Sequence, residues 1–432
     1  MNAVFYRDLH QDYPVAASAA GMYINDESGK RYLDMCGGAA VSSIGHQHPD
    51  VIAILQEQIQ TMAYAHTGFF SNRPQEALAE ALAVRFGEDG AKVYFSSSGS
   101  EANETALKLA WQYWRIQGFT GKTKIISREH SYHGNTLGAL SVSGNLNRRR
   151  PMAELLMDWP RIPTCYPHRY QMDDESDINY GERSAGYLEA AILKAGPETV
   201  AAFIAEPVIG ASLGAVTAAP GYFQKIRAIC DKYDVLLIAD EVMCGTGRTG
   251  SFYAHEQENF LPDIVTLAKG IGGGYQPLAA TLARHKIVEP FSKPGQSFDH
   301  GHTYVGHASA CAVGMGVVDA LEKYQLLGAV QVMGERLQTA LDDAFMDHPH
   351  ISDIRGRGLF RALELDSETL QFSPGLAKAI RNCAMKHGLL CYPGIGYKSC
   401  HILFAPPFIL EDCHIDEMVE KLRAVLTEMT GA

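Results

Sequence analysis

The chain contains no window of about 18 apolar residues, so no membrane-spanning helix is expected. Its first residues include Arg7, Asp8, His10, Gln11 and Asp12 and lack the apolar core and small-residue cleavage site of a secretory signal, which makes a cytoplasmic location the expectation. Basic residues are the minority: 37 against 49 acidic ones give a formal charge of −12, which disfavours general attraction to nucleic acid or anionic membrane. The basic triplet Arg148-Arg149-Arg150 has no interleaved aromatics and reads as a solvated loop. No Cys-x-x-Cys pair occurs, and the odd total of nine cysteines argues against a disulfide framework and a structural zinc site. Histidines number 17, yet neither Gly45-His46-Gln47-His48-Pro49 nor His300-Gly301-His302 comes with a carboxylate or cysteine set to complete a metal site, so no metal is expected. Internal repeats and low-complexity tracts are also missing.

At 432 residues, with 46% apolar and 20% charged content, the chain can bury a large core as two domains or as one α/β domain with an appended lobe. Short apolar strands are predicted at 91–95, 124–127, 200–205, 235–239, 264–267 and 279–283. Helices at 100–117, 222–233 and within 308–324 separate several of them, the pattern of βαβ units and a mostly parallel sheet. The ends differ: a hairpin around Asp26-Glu27-Ser28-Gly29 at the start, and an α+β pattern after about Leu327. We therefore expect a small domain from 1–60 and 327–432 around a large domain at 61–326. The Pro-, Asp-, Tyr- and His-rich stretch 166–180 reads as a surface loop or insertion.

Polar residues recur at the carboxyl ends of these strands, where open α/β sheets place their ligands. Asp240-Glu241 ends the run 235–239, Glu206-Pro207 ends 201–205, and Lys269 follows 264–268. A lysine amine can attack an aldehyde only when deprotonated, and desolvation lowers its pKa toward that state. A carboxylate at fixed distance would keep a pyridinium nitrogen protonated, as pyridoxal phosphate chemistry requires. Ser98-Gly99-Ser100-Glu101 opens a helix after a strand, which suits a phosphate site and equally a plain serine N-cap. Within Ser131-Tyr132-His133-Gly134, the Tyr132 ring could stack on a planar cofactor or simply be core.

The composite pattern Leu237-Ile238-Ala239-Asp240-Glu241-Val242, Gly245-Thr246-Gly247-Arg248-Thr249-Gly250, Asp263-Ile264-Val265 and Lys269-Gly270 resembles the class III aminotransferases, pyridoxal-phosphate enzymes of fold type I. Gly45-His46, Tyr132-His133-Gly134, Glu206-Pro207, Gly301-His302-Thr303-Tyr304 and Ala405-Pro406-Pro407 extend the likeness over essentially the whole chain. The resemblance implies that Lys269 carries the cofactor as a Schiff base and shuttles a proton, while Asp240 pairs with the pyridine nitrogen. It implies further that Val242 and Tyr132 cover the two ring faces, that Gly99 and Ser100 hold the phosphate, and that His133 and Glu206 complete the site. Thr303 would reach the phosphate of a neighbouring subunit, making a homodimer with composite active sites, with pairing into tetramers left open.

Departures from the family narrow the substrate. Met243 and Cys244 follow Asp-Glu-Val where ornithine- and 4-aminobutyrate-type members commonly carry glutamine, a form that resembles the omega-amine:pyruvate branch. Ile209 and Ala211 replace polar residues of ornithine-type members, and Gly37-Gly38-Ala39-Ala40 lacks a frequent Trp, whose space could stay open or be taken by Phe69 or Phe70. The segment 393–405 offers only Lys398 and His401 as cations, while Arg355, Arg357 and Arg361 lie in the small lobe. The expected activity is amino transfer from an ω-amino acid or amine to a keto acid, pyruvate above all, by a ping-pong mechanism. A mutase, racemase or decarboxylase on the same scaffold is the alternative. The segment 268–274 has its lysine before its glycines, and no nucleotide-loop pattern opens a helix, so a nucleotide-binding or regulatory role is disfavoured.

Overall fold

A computed structural model describes residues 3–366, 375–396 and 399–430. Its centre is a seven-stranded sheet in the order Lys92–Ser96, Ala279–Ala283, Ile264–Leu267, Leu236–Asp240, Val200–Ala205, Lys124–Arg128, Arg161–Ile162. Alternate side chains of its middle strands enter separate cores. Phe203, Ala205, Leu237 and Ala239 join one, and Ala202, Ile204, Leu236 and Ile238 join the other. Burial on both faces is why these strands read as continuous apolar runs. Helix Gly99–Ile116 covers one face, while Asp177–Ala195 and Tyr222–Lys232 pack on the other.

Strand Ala279–Ala283 runs against both of its neighbours, and the remaining strands all run one way. The reason lies in its connection: only the short 3₁₀ turn Lys269–Gly272 precedes it, with no crossover helix to return the chain to the starting edge. Two further four-stranded sheets use the chain ends. Leu389–Leu390 pairs in parallel with Arg31–Asp34, so C-terminal residues complete the N-terminal sheet. Strands Ile351–Arg357, Phe360–Leu365, Cys400–Phe404 and Tyr392–Ile395 form an antiparallel sheet in that order.

The structure refines two expectations. The stretch 166–180 is exposed over most of its length, as a surface loop would be, but its ends are anchored: Tyr166 and Tyr180 are buried, and the Tyr166 amide donates to the Tyr180 hydroxyl. Tyr166 itself donates to Glu364, a buried carboxylate that also pairs with Arg169 and Arg355. The basic triplet is likewise only partly solvated, since Arg149 donates to the carbonyls of Ser141 and Ser143 and the Arg148 guanidinium lies 4.9 Å over the Tyr132 ring.

Candidate active site

Strand register brings the polar strand ends together. Ala239 pairs with Ala205, so the next residues, Asp240 and Glu206, sit side by side, and Asp240 pairs with Thr266, three residues before Lys269. Around them is a cavity of about 360 Å³ lined by Ser98, Gly99, Ser100, Asn103, Tyr132, His133, Gly134, Asn135, Glu206, Val208, Ala211, Asp240, Val242, Met243 and Lys269. A larger groove of about 710 Å³ beside helix Arg73–Phe86 is edged by Glu76, Glu80, Glu88 and Asp89 and contains none of these groups.

Asp240 is held by three donors. Asn103 Nδ2 and His133 Nδ1 each lie 2.7 Å from Oδ2, and the Val242 amide donates to Oδ1 at 3.0 Å. A carboxylate has about four acceptor directions, so one remains for a donor in the cavity. Asn103 is fixed in turn, receiving the Thr266 hydroxyl on its carbonyl and donating to the His133 carbonyl. Glu241, one residue on, points away and receives the amides of Ala254 and His255 and the His255 ring. Within the Asp-Glu pair, one member therefore serves the cavity and the other anchors a loop.

Lys269 adopts φ +53°, a left-handed conformation unusual for a residue with a Cβ and costing roughly 1–3 kcal/mol. Part of its surface stays accessible because it lines the cavity, while protein crowds its other sides. Desolvation lowers its pKa to about 8, against the attraction of Asp240 and Glu206; the charge of Arg148 adds a smaller push in the same direction. Burial raises Glu206 to about 7, opposed by His133 and Arg128 and reinforced by Asp240. Two groups able to exchange protons near neutrality thus share one cavity.

Ser98 caps helix Gly99–Ile116 by accepting the Glu101 amide, so the N-cap reading of the serine run is correct and compatible with a phosphate site. A Cβ at Gly99 would come within 2.6 Å of Val242, which requires glycine there. Gly134 combines φ +143° with a virtual Cβ 2.6 Å from Ser100 Oγ, and the Asn135 amide donates to that same oxygen. The cavity therefore fits a planar, phosphorylated, aldehyde-bearing group: helix-end donors at one side, an accepting carboxylate, and a partly buried amine. Among the described residues Glu206 Oε2 and His133 Nε2 are buried without a hydrogen-bond partner, Glu206 Oε2 lying 3.8 Å from the Arg128 guanidinium.

The aminotransferase class-III family model matches residues 6–426. The chain belongs to the class III aminotransferases. An uncharacterized aminotransferase of Schizosaccharomyces pombe is 40% identical over 441 residues, covering 100% of this chain and 96% of that protein. Gamma aminobutyrate transaminase 2 of Solanum lycopersicum is 38% identical, covering 94% and 89%. Among solved structures, the omega transaminase from Pseudomonas jessenii in complex with PMP superposes with a TM-score of 0.91 at 32% identity, over 97% of this chain and 94% of that one. This aminotransferase thus has the fold type I architecture, acts on amine and keto-acid substrates, and uses pyridoxal phosphate.

Most of the sequence-predicted residues converge on the cavity: Gly99, Ser100, Tyr132, His133, Glu206, Asp240, Val242 and Lys269. Thr303 does not. It is exposed and offers its carbonyl to the Tyr64 hydroxyl. Phe69 and Phe70 are 82% and 67% exposed and leave the cavity of their own chain unfilled. Ile209 and Ala40 are buried in apolar clusters and do not reach the lining, which Ala211 and Met243 do. Asn103 was missed; its signal was its place four residues after Gly99, one helical turn into the helix that follows the serine run.

The suspected cations of the small lobe are already engaged. Arg355 pairs with Asp353 at 2.6 Å and Glu364 at 2.7 Å, Arg357 pairs with Glu258 at 2.8 Å, and Arg361 donates to the carbonyls of Gly334, Gly356 and Gly358. His401 is fully buried and desolvation holds its pKa near 3, so it stays neutral. Lys398 lies outside the described residues.

Proposed function

We propose that this aminotransferase moves an amino group from an ω-amino acid or amine to pyruvate in two half-reactions, with the first product leaving before the acceptor enters the same cavity. What carries the reading is the meeting of Lys269, Asp240 and Glu206 in one cavity. Bound pyridoxal phosphate would supply an electron sink for breaking the C–H bond beside nitrogen. Lys269 Nζ, easily deprotonated near pH 8, is the group that attaches the cofactor and then moves the substrate proton. Asp240, aimed by Asn103 and His133, stabilises positive charge on the ring nitrogen. Ser100 and Gly99 hold the phosphate, Val242 and Tyr132 confine the ring, and Glu206 exchanges a proton near neutrality.

Met243 and Ala211 support donors with an uncharged body, because they give the cavity wall no polar group. Among the described lining residues Lys269 is the only lysine or arginine, and a second carboxylate buried unpaired would cost several kcal/mol. Pyruvate is therefore the preferred acceptor over 2-oxoglutarate. We also place Thr303 and the exposed Phe69, Phe70 and Tyr304 at a homodimer interface, where Thr303 reaches the partner's phosphate. A panel of amine donors against pyruvate, 2-oxoglutarate and glyoxylate tests the substrate reading, and a higher kcat/KM for 2-oxoglutarate would refute it.

A further inference from the structure

The acceptor's carboxylate needs a cation, and the small-lobe arginines are committed to other partners. One guanidinium near the cavity is differently placed. Arg148, on the short helix Leu146–Arg149, lies 4.9 Å over the ring of Tyr132, itself a lining residue. Among the described residues its guanidinium makes no hydrogen bond and no ion pair, although its side chain is half-buried. Only its backbone is pinned, the amide donating to Asn145 Oδ1 at 3.2 Å. The neighbouring Arg149, by contrast, is consumed by two backbone carbonyls.

An arginine stacked on an aromatic ring keeps its in-plane N–H groups available, because the ring takes only the face. Those N–H groups form a fork that matches a carboxylate with two parallel bonds. Two short devices set the position: the Asn145 cap fixes the helix that carries Arg148, and Tyr132 fixes the plane of the guanidinium. An uncommitted, half-buried cation beside a cavity whose lining is otherwise short of positive charge is the arrangement expected of an anion-recognition residue.

We propose that Arg148 binds the carboxylate of the keto-acid acceptor, making it the specificity-determining cation of this aminotransferase. The assignment rests on the cavity being the substrate site. One guanidinium serves one carboxylate, which agrees with a monocarboxylic acceptor. It also leaves uncharged amines free to enter as donors, since a donor without a carboxylate needs no such partner.

The test uses the holoenzyme with Arg148→Leu and Arg148→Lys, neither of which removes a side-chain hydrogen bond. Pyruvate is compared with butanal, an acceptor lacking a carboxylate, and propanoate is titrated as a non-reacting carboxylate by its effect on the visible absorption of the bound cofactor. In Arg148→Leu the pyruvate-to-butanal ratio of kcat/KM should fall about ten- to hundredfold and propanoate binding should weaken to match, the size carried by charge-assisted hydrogen bonds. Arg148→Lys should recover part of the ratio, as a point charge replaces a fork. An unchanged ratio, or a variant that loses pyridoxal phosphate while keeping the ratio, overturns the proposal. If the wild-type enzyme prefers 2-oxoglutarate, the pyruvate reading alone fails, and the same ratio measured with 2-oxoglutarate decides Arg148.

Discussion

Replacing Lys269 by methionine should stabilise the cofactor-free protein while abolishing its catalysis. The ammonium is desolvated and its pKa falls from 10.5 to about 8. At about 1.36 kcal/mol per pKa unit, that shift amounts to roughly 3 kcal/mol disfavouring the folded state while the lysine is charged. Below pH 8 both folded and unfolded chains carry the proton and the penalty is complete. Between pH 8 and 10.5 the unfolded chain still holds the proton that the folded one has released, so wild-type stability rises relative to the variant. Above 10.5 both are neutral and the penalty is gone. Methionine has similar length, no charge and no pH dependence, and Val242, Met243 and Val208 give the cavity that it would line apolar surface. Denaturant unfolding of both cofactor-free proteins from pH 7 to 10.5 should show the variant more stable by about 3 kcal/mol at pH 7, or roughly 3 °C in Tm for a chain of this size. The gap should close as pH rises. A variant that is less stable at pH 7, or a gap that ignores pH, would refute a desolvated lysine.

Asp240→Asn should slow the half-reaction of the reconstituted enzyme by orders of magnitude while cofactor binding changes far less, since the proposed phosphate site at Gly99 and Ser100 does not involve it; stopped-flow absorbance separates the two. Ser100→Ala should do the reverse, weakening affinity for pyridoxal phosphate by about 1–2 kcal/mol for one charge-assisted bond, measured by equilibrium titration. Glu364→Gln should lower stability by about 3–5 kcal/mol at pH 7, because Arg355 and Arg169 would keep their charges without their shared buried partner. Those contacts hold Glu364 near pKa 2 against an ordinary 4.5, so its contribution is present above pH 4.5 and drains away as pH falls toward 2, and the wild-type-to-variant difference in acid denaturation should narrow over that window.

Apolar strands covered on both faces announced themselves in the sequence, and with them the positions at which Glu206, Asp240 and Lys269 leave the sheet. That is local information: a run of five or six buried residues ends, and the next polar side chain lies at the sheet's edge. Helix caps were local as well, and Ser98 does cap the helix it precedes. Tertiary structure decided whatever depends on partners distant in the chain. Asn103 became part of the site because Asp240 lies 137 residues away and 2.7 Å from its amide. Tyr166 left the surface because Glu364 and Tyr180 receive it. The reversed strand Ala279–Ala283 followed from a short connection that leaves no room for a crossover helix. The arginines divide most clearly, since the guanidinium is chemically the same in each. Arg355 is bound by Asp353 and Glu364, while Arg148 rests on Tyr132 with no hydrogen bond or ion pair to its guanidinium among the described residues, and only the three-dimensional placement of acids and rings separates the two.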